Sequence, residues 1–93
     1  MEVYLVSFDI SDDGLRRRIG DVLLGYGDRV QRSVFEVSVK DRRDLDQLQK
    51  ALTDLVEPGD DDIRLYRLCA ACRRASATLD GGPVAAFPAM LVV

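Results

Sequence analysis

The chain has 93 residues, a formal net charge of −3 and 31% charged residues. One domain of this length removes only about 60–65% of its unfolded surface from water, so its core is thin unless a partner adds to it. The composition excludes a disordered or fibrous chain and a uniformly basic nucleic-acid binder, yet it leaves room for a local basic stripe.

Val3 to Ile10 reads as the first strand. Tyr4, Val6, Phe8 and Ile10 fall on one face and Val3, Leu5, Ser7 and Asp9 on the other. Both faces are mostly apolar, so the strand is expected to be central and covered on both sides. Ser11-Asp12-Asp13 supplies an N-cap and negative charge for a helix start. Leu15, Ile19, Val22, Leu23 and Tyr26 then form a helical stripe, with Arg16, Arg17, Arg18 and Asp21 largely off it. Gly25-Tyr26-Gly27 ends that helix, with Gly27 expected as a left-handed cap. Arg29 to Val39 is rich in strand formers and reads as two short strands or one sharply bent strand around Arg32-Ser33.

Asp41 to Val56 is the second helix, its stripe carried by Leu45, Leu48, Leu52, Leu55 and Val56. Glu57-Pro58-Gly59 stops it, and Asp60-Asp61-Asp62 reads as a solvated turn. Ile63 to Cys69 is the next strand, Ala70 to Arg74 a tight connection, and Ala75 to Leu79 a short strand. Asp80-Gly81-Gly82-Pro83 is a turn, and Ala89 to Val93 a terminal strand. The most apolar stretch, Pro83 to Val93, contains Pro88. It is shorter than the roughly 20 residues needed to cross a bilayer. With no leader-like start, a cytoplasmic protein without a membrane partner is expected.

This order gives an α+β fold, the ferredoxin-like βαββαβ sandwich with an extra C-terminal strand. Residues 1–93 form a single domain, with 76–93 a strand-bearing tail. Two helices cover one face of the sheet. The other face needs cover for Val3 and Leu5, and the economical source is a second copy about a two-fold axis. Pairing the tail across that homodimer would also protect an apolar edge strand.

The chain has no histidine, so chemistry falls to carboxylates, hydroxyls, a thiol or a hard cation with its water. Asp9 sits at the carboxyl end of a central strand just before a helix, a place where α/β proteins set ligands. Two copies of Asp9, one from each protomer, would share Mg²⁺ (or Mn²⁺) with waters and substrate phosphate; the alternative is a carboxylate that caps the following helix. Ser7 and Ser33 are candidates to position phosphate or water, or hydroxyls bonded to nearby backbone. Phe35 is a supporting core or interface residue. Arg16, Arg17 and Arg18, joined by Arg32, are candidate phosphate contacts, or a solvated face offset by Asp12, Asp13 and Asp21. Cys69 and Cys72 form a CxxC, which is half a zinc site, a redox pair or incidental thiols.

Ser7-Phe8-Asp9-Ile10 followed by Ser11-Asp12-Asp13 resembles the Y-D-I-x-D start of the second CRISPR-associated core protein family. So does Gly25 to Glu36, whose Arg29-Val30-Gln31-Arg32-Ser33-Val34-Phe35-Glu36 is close to the family's R-V-Q-x-S-V-F-E. Arg64 to Cys69 with Cys72 looks like that family's fourth strand and the turn after it. The likeness spans most of residues 1–74. Phe8 stands where tyrosine is usual, and Arg32 where an aromatic is frequent.

The resemblance implies a ferredoxin-like homodimer with the metal-binding aspartate, Asp9, contributed by both chains. It implies a role in CRISPR adaptation, as a partner of the larger integrase subunit that inserts spacers. It further implies a Mg²⁺-dependent endonuclease on RNA or DNA, or a nucleic-acid-binding bridge in the integrase complex. The alternatives are a non-catalytic architectural DNA-binding subunit and a small-molecule regulatory domain on the same fold.

Overall fold

The computed structural model describes residues 1–57 and 62–87. Its elements are β1 (Glu2–Asp9), α1 (Asp13–Leu24), β2 (Gly27–Gln31), β3 (Val34–Val39), α2 (Arg42–Thr53), β4 (Asp62–Leu68) and α3 (Ala70–Ala75). The four strands make one antiparallel sheet in the order β2-β3-β1-β4. This is the ferredoxin-like α+β arrangement, with β1 central.

The helices start where short acidic side chains satisfy free amides. The Asp12 carboxylate accepts from the Leu15 N–H at 2.7 Å, and Asp41 accepts from the Asp44 N–H at 2.9 Å. Their apolar stripes do the rest. Ile19 and Leu23 of α1 and Leu45, Leu48 and Leu52 of α2 are buried against Val6, Phe8, Phe35, Val37 and Val39 of the sheet. Each such side chain contributes about 1.5–3 kcal/mol on burial. Phe8 and Phe35 stack with ring centroids 6.0 Å apart at the centre of this core.

Arg29 to Val39 is two strands joined at Arg32-Ser33. Gln31 pairs with Val34, and the register shifts between Arg29 and Gln31, a bulge at Val30. No glycine marks this turn. It is held instead by Arg29, whose Nε and Nη2 donate to the Arg32 carbonyl at 3.1 and 2.7 Å while its guanidinium lies 5.8 Å from the Phe35 ring centre. The Phe8 N–H donates to the Ser33 carbonyl at 3.1 Å and ties the turn to β1.

Four expectations are corrected. Gly27 is not a left-handed helix cap; α1 ends at Gly25 with right-handed backbone (φ −71°, ψ −11°). Gly27 opens β2 instead, and a Cβ there would lie 2.0 Å from the Glu36 carbonyl oxygen, so the glycine serves strand contact. Residues 70–74 are not a tight connection but most of α3, because Cys69 caps them and small alanines open the turn. Ala75 to Leu79 is not a strand; it yields only the bridge Ala77 to Pro83 around the Asp80-Gly81-Gly82 turn. The Thr78 hydroxyl organises that turn by accepting the Gly82 N–H at 2.8 Å.

The fourth correction concerns the second sheet face, which needs no other copy for all of its cover. Val3 and Ala85 are buried, 1% and 3% exposed, yet lie outside the cluster beneath the helices. The Ala85 N–H donates to Glu36 Oε1 at 2.8 Å, holding residues 77–87 against this face. The cover is partial. A cavity of about 550 Å³ opens between Leu5, Val30 and Val34 and the segment from Ala77 to Val84, and Tyr66 stays 47% exposed. The expected terminal strand, Ala89 to Val93, lies outside the described residues.

Candidate functional site

The period-two alternation of β1 puts Val3, Leu5, Ser7 and Asp9 on the sheet face away from α1 and α2. Directly opposed residues of antiparallel strands share a face, so the register builds the surroundings of Asp9. Asp9 is opposite Asp62, and Ser7 is opposite Arg64 on one side and Val34 on the other. The Asp9 side chain is exposed. Asp12 caps α1, so the helix-cap role considered for Asp9 is filled by another residue.

Asp62 is engaged in an ion pair, accepting from Arg64 Nε at 3.0 Å. Hydrogen bonds to Tyr66 and then to Asp62 push the Arg64 pKa further above its ordinary value. The end of the β1–β4 ladder thus presents an acid without a cation partner among the described residues, a second acid already neutralised, and a hydroxyl beside the neutralising arginine. In the sequence Asp62 belongs to the Asp60-Asp61-Asp62 run, which reads as a solvated turn that could attract a cation, and Arg64 enters only through the likeness of the fourth strand. Nothing local shows that Asp62 faces Asp9. The signal that finds it is the alternation Asp62, Arg64, Tyr66 and Leu68 against Ile63 and Leu65, once β4 is laid beside β1.

Ser33 belongs to the same end of the sheet, because its carbonyl is bonded to the residue before Asp9. Arg32, exposed at the hairpin tip, stands beside it. Phe35 does not share the site: it is opposite Val6, 1% exposed and inside the core, on the far side of the sheet from Asp9. Its contribution is packing.

The three consecutive arginines divide. Arg16 is spent within the chain: Nη1 donates to the Ile10 carbonyl at 2.8 Å and to the Ser11 carbonyl at 3.2 Å, while Nη2 pairs with Asp13. Its side chain is 23% exposed. It pins the loop that follows Asp9, and its pair with Asp13 matches the alternative of an arginine offset by neighbouring acids. Arg17 and Arg18 are exposed on α1, in the helix layer. They do not lie on the face that carries Asp9.

The model of the family described as CRISPR associated protein Cas2 matches residues 1–75, a span that contains Asp9, Ser33, Asp62 and Arg64. This chain belongs to the Cas2 family. Among Cas2 relatives, the CRISPR-associated endoribonuclease Cas2 1 of Chloroflexus aurantiacus is 42% identical over 81 residues, 86% of each chain. The CRISPR-associated endonuclease Cas2 2 of Thermus thermophilus is 41% identical over 64 residues, 69% of this chain and 70% of the relative. A chain of the solved "Partial Cas6-RT-Cas1--Cas2 complex" superposes with a TM-score of 0.81 at 34% identity, covering 94% of this chain and all of that one.

Proposed function

We propose that this chain is a metal-dependent phosphodiester endonuclease subunit of CRISPR adaptation. It works as a two-fold homodimer in the cytoplasm, with RNA or DNA as substrate and the CRISPR integrase as partner. The carrying observation is the exposed Asp9 carboxylate at the end of β1, which has no ion pair or side-chain hydrogen bond among the described residues. Relatives named as endoribonuclease and endonuclease support the reaction class, and the neighbour's place in a Cas1–Cas2 complex supports the partner.

Among the described residues, no three acidic or thiol side chains come together as a metal cage. One protomer offers the free Asp9 carboxylate, with Asp62 opposite it already paired to Arg64. That donor set suits Mg²⁺ or Mn²⁺, hard cations that take one or two carboxylates and fill the remaining positions with water and phosphate oxygens. When bound, the cation supplies Lewis acidity at the phosphate and lowers the pKa of a water.

The remaining work falls to the chain's own residues. Arg16 fixes the loop after Asp9 and so the direction in which the carboxylate is offered. Arg64 stands opposite Ser7 with guanidinium donors beyond those given to Asp62 and Tyr66, a match for phosphate oxygens. Arg32 at the hairpin tip adds positive charge near the same end. With no histidine in the chain, proton transfer at this site falls first to its carboxylates and water. Among the described residues no helix is long and apolar enough to cross a membrane.

The test is cleavage of RNA and duplex DNA by wild type and Asp9→Asn, with Mg²⁺ or EDTA, after gel filtration of both. Loss of cleavage in the variant and in EDTA, with the same dimeric elution, is the expected result. Wild-type rates in either condition, or a monomeric protein that cleaves normally, would overturn it.

The architectural reading has one observation in its favour. Arg17 and Arg18 are exposed in the helix layer, where a bound duplex would not meet Asp9. Reversing both to glutamate should then weaken DNA binding and flatten its salt dependence, with cleavage of short RNA unchanged.

A further inference from the structure

Cys69 and Cys72 take no part in the site above, and their placement is specific. Cys69 follows β4 directly and is the N-cap of α3, with extended backbone (φ −69°, ψ 166°). Cys72 is the third residue of that helix, and its N–H donates to the Cys69 Sγ at 3.4 Å. On a regular helix these two Cα atoms stand about 5 Å apart. Disulfides span Cα separations of roughly 4.4–6.8 Å. Both thiols are free and exposed. No third metal-ligating side chain joins them among the described residues.

What the pair controls is also visible. α3 has six residues, none buried. A helix that short has little stability of its own, so its shape rests on caps: the Cys69 sulfur at one end, and the Ser76 hydroxyl donating to the Cys72 carbonyl at 2.6 Å at the other. α3 leads into residues 77–87, the segment held on the second sheet face by Glu36.

We propose that Cys69 and Cys72 are a thiol–disulfide exchange pair, closing to an intrachain disulfide that clamps the first turn of α3. Cys69 is the attacking sulfur. The amide of Cys72, then the Cys72 thiol, hydrogen-bond to it and hold its pKa below the usual thiol value, while sharing with Cys69 raises that of Cys72. The oxidant is a small-molecule disulfide of the glutathione class. The Cys69 thiolate attacks one sulfur of that disulfide, its S–S bond breaks, and one glutathione thiolate leaves. Cys72 gives its proton to solvent and its sulfur attacks Cys69, releasing the second glutathione. Two electrons pass from the cysteine pair to the oxidant, and two reduced glutathiones are the product.

The experiment uses the full chain, incubated across a series of reduced-to-oxidised glutathione ratios, quenched in acid, alkylated with a maleimide and weighed intact. Both thiols should become unreactive together, with the loss of two hydrogens, no retained glutathione and no cross-linked species on a non-reducing gel. Cys72→Ser should stop at a mixed disulfide on Cys69, and Cys69→Ser should react more slowly than Cys72→Ser. In hydrogen exchange, the α3 amides should be slower in the oxidised wild type than in the reduced protein. A wild type that keeps glutathione on one cysteine, forms interchain disulfides, or loses neither thiol would refute the proposal. So would tightly held zinc that blocks oxidation, or α3 exchange that ignores oxidation.

Discussion

Replacing Gly27 with alanine tests the account of the β2–β3 edge, because two alanine substitutions at glycine should move stability in opposite directions. The added Cβ at position 27 would stand 2.0 Å from the Glu36 carbonyl oxygen, 2.7 Å from the Val37 Cα and 2.9 Å from the Glu36 carbonyl carbon. All three are backbone atoms, so no rotamer change relieves the overlap. Ordinary contact begins near 3.4 Å, so β2 must retreat from β3 by more than about 1 Å. Strands are spaced only about 4.8 Å apart, and such a retreat breaks the ladder at this end. Two lost backbone bonds at about 1 kcal/mol each and a packing strain of about 1–2 kcal/mol give a loss of about 3–4 kcal/mol. For a domain of this size that corresponds to a Tm lower by about 12–32 °C.

Gly20→Ala is the counterpart. There the nearest atom is the Phe35 ring carbon at 3.5 Å, an ordinary contact inside α1. Removing a helix-interior glycine should add up to about 1 kcal/mol and raise Tm by about 4–8 °C. Thermal unfolding followed by circular dichroism at one fixed protein concentration reads both. A Gly27→Ala protein melting within 2–3 °C of wild type, on the same scale of about 4–8 °C per kcal/mol, would show that the β2–β3 contact described here is wrong.

Phe35→Ala should cost about 3–5 kcal/mol, measured by urea unfolding, because the ring is fully buried against Phe8; Phe35→Leu should keep cleavage per folded molecule, which a role in the chemistry would not allow. Arg16→Ala should cost about 1.5–3 kcal/mol through its bonds to the Ile10 and Ser11 carbonyls, whereas Arg17→Ala should stay within about 0.5 kcal/mol. Asp80 is held below the usual carboxylate range, first by the Thr78 hydroxyl and then by the Gly82 and its own amides. Its folded pKa lies below its unfolded one, so its contribution is fully present above the unfolded value and is lost as pH falls through the folded value. The Gly82 amide resonance should report that step in an acid titration, and Thr78→Val should move it toward the ordinary carboxylate value.

The strands, the two long helices and the central place of β1 are legible in the sequence because burial imposes periodicity. Ile19 and Leu23 recur as a helix requires, and Val6 and Phe8 as a strand requires. Asp9 is legible for the same reason, since it breaks an apolar alternation. What the sequence conceals is set by atoms far apart along the chain. Gly27 looks like a helix terminator because a glycine after a helix usually is one; only the approach of the β3 backbone reveals its purpose. Arg16 looks interchangeable with Arg17 and Arg18, and the loop carbonyls above it decide otherwise. The placing of Asp9 opposite Asp62, and of Ser7 opposite Arg64, needs the β1–β4 register, which no local pattern encodes. The cover given by residues 77–87 brings Ala85 to Glu36 through a bond between residues 49 apart in the chain.

The bond from the Phe8 amide to the Ser33 carbonyl makes the corner between β2 and β3 a mechanical handle on Asp9. Any change that tilts this corner is transmitted through one peptide unit to the acid, while the acid itself and the packed interior keep their sequence. Substitutions confined to Arg32 and Ser33 should therefore shift the end of β1 that carries Asp9.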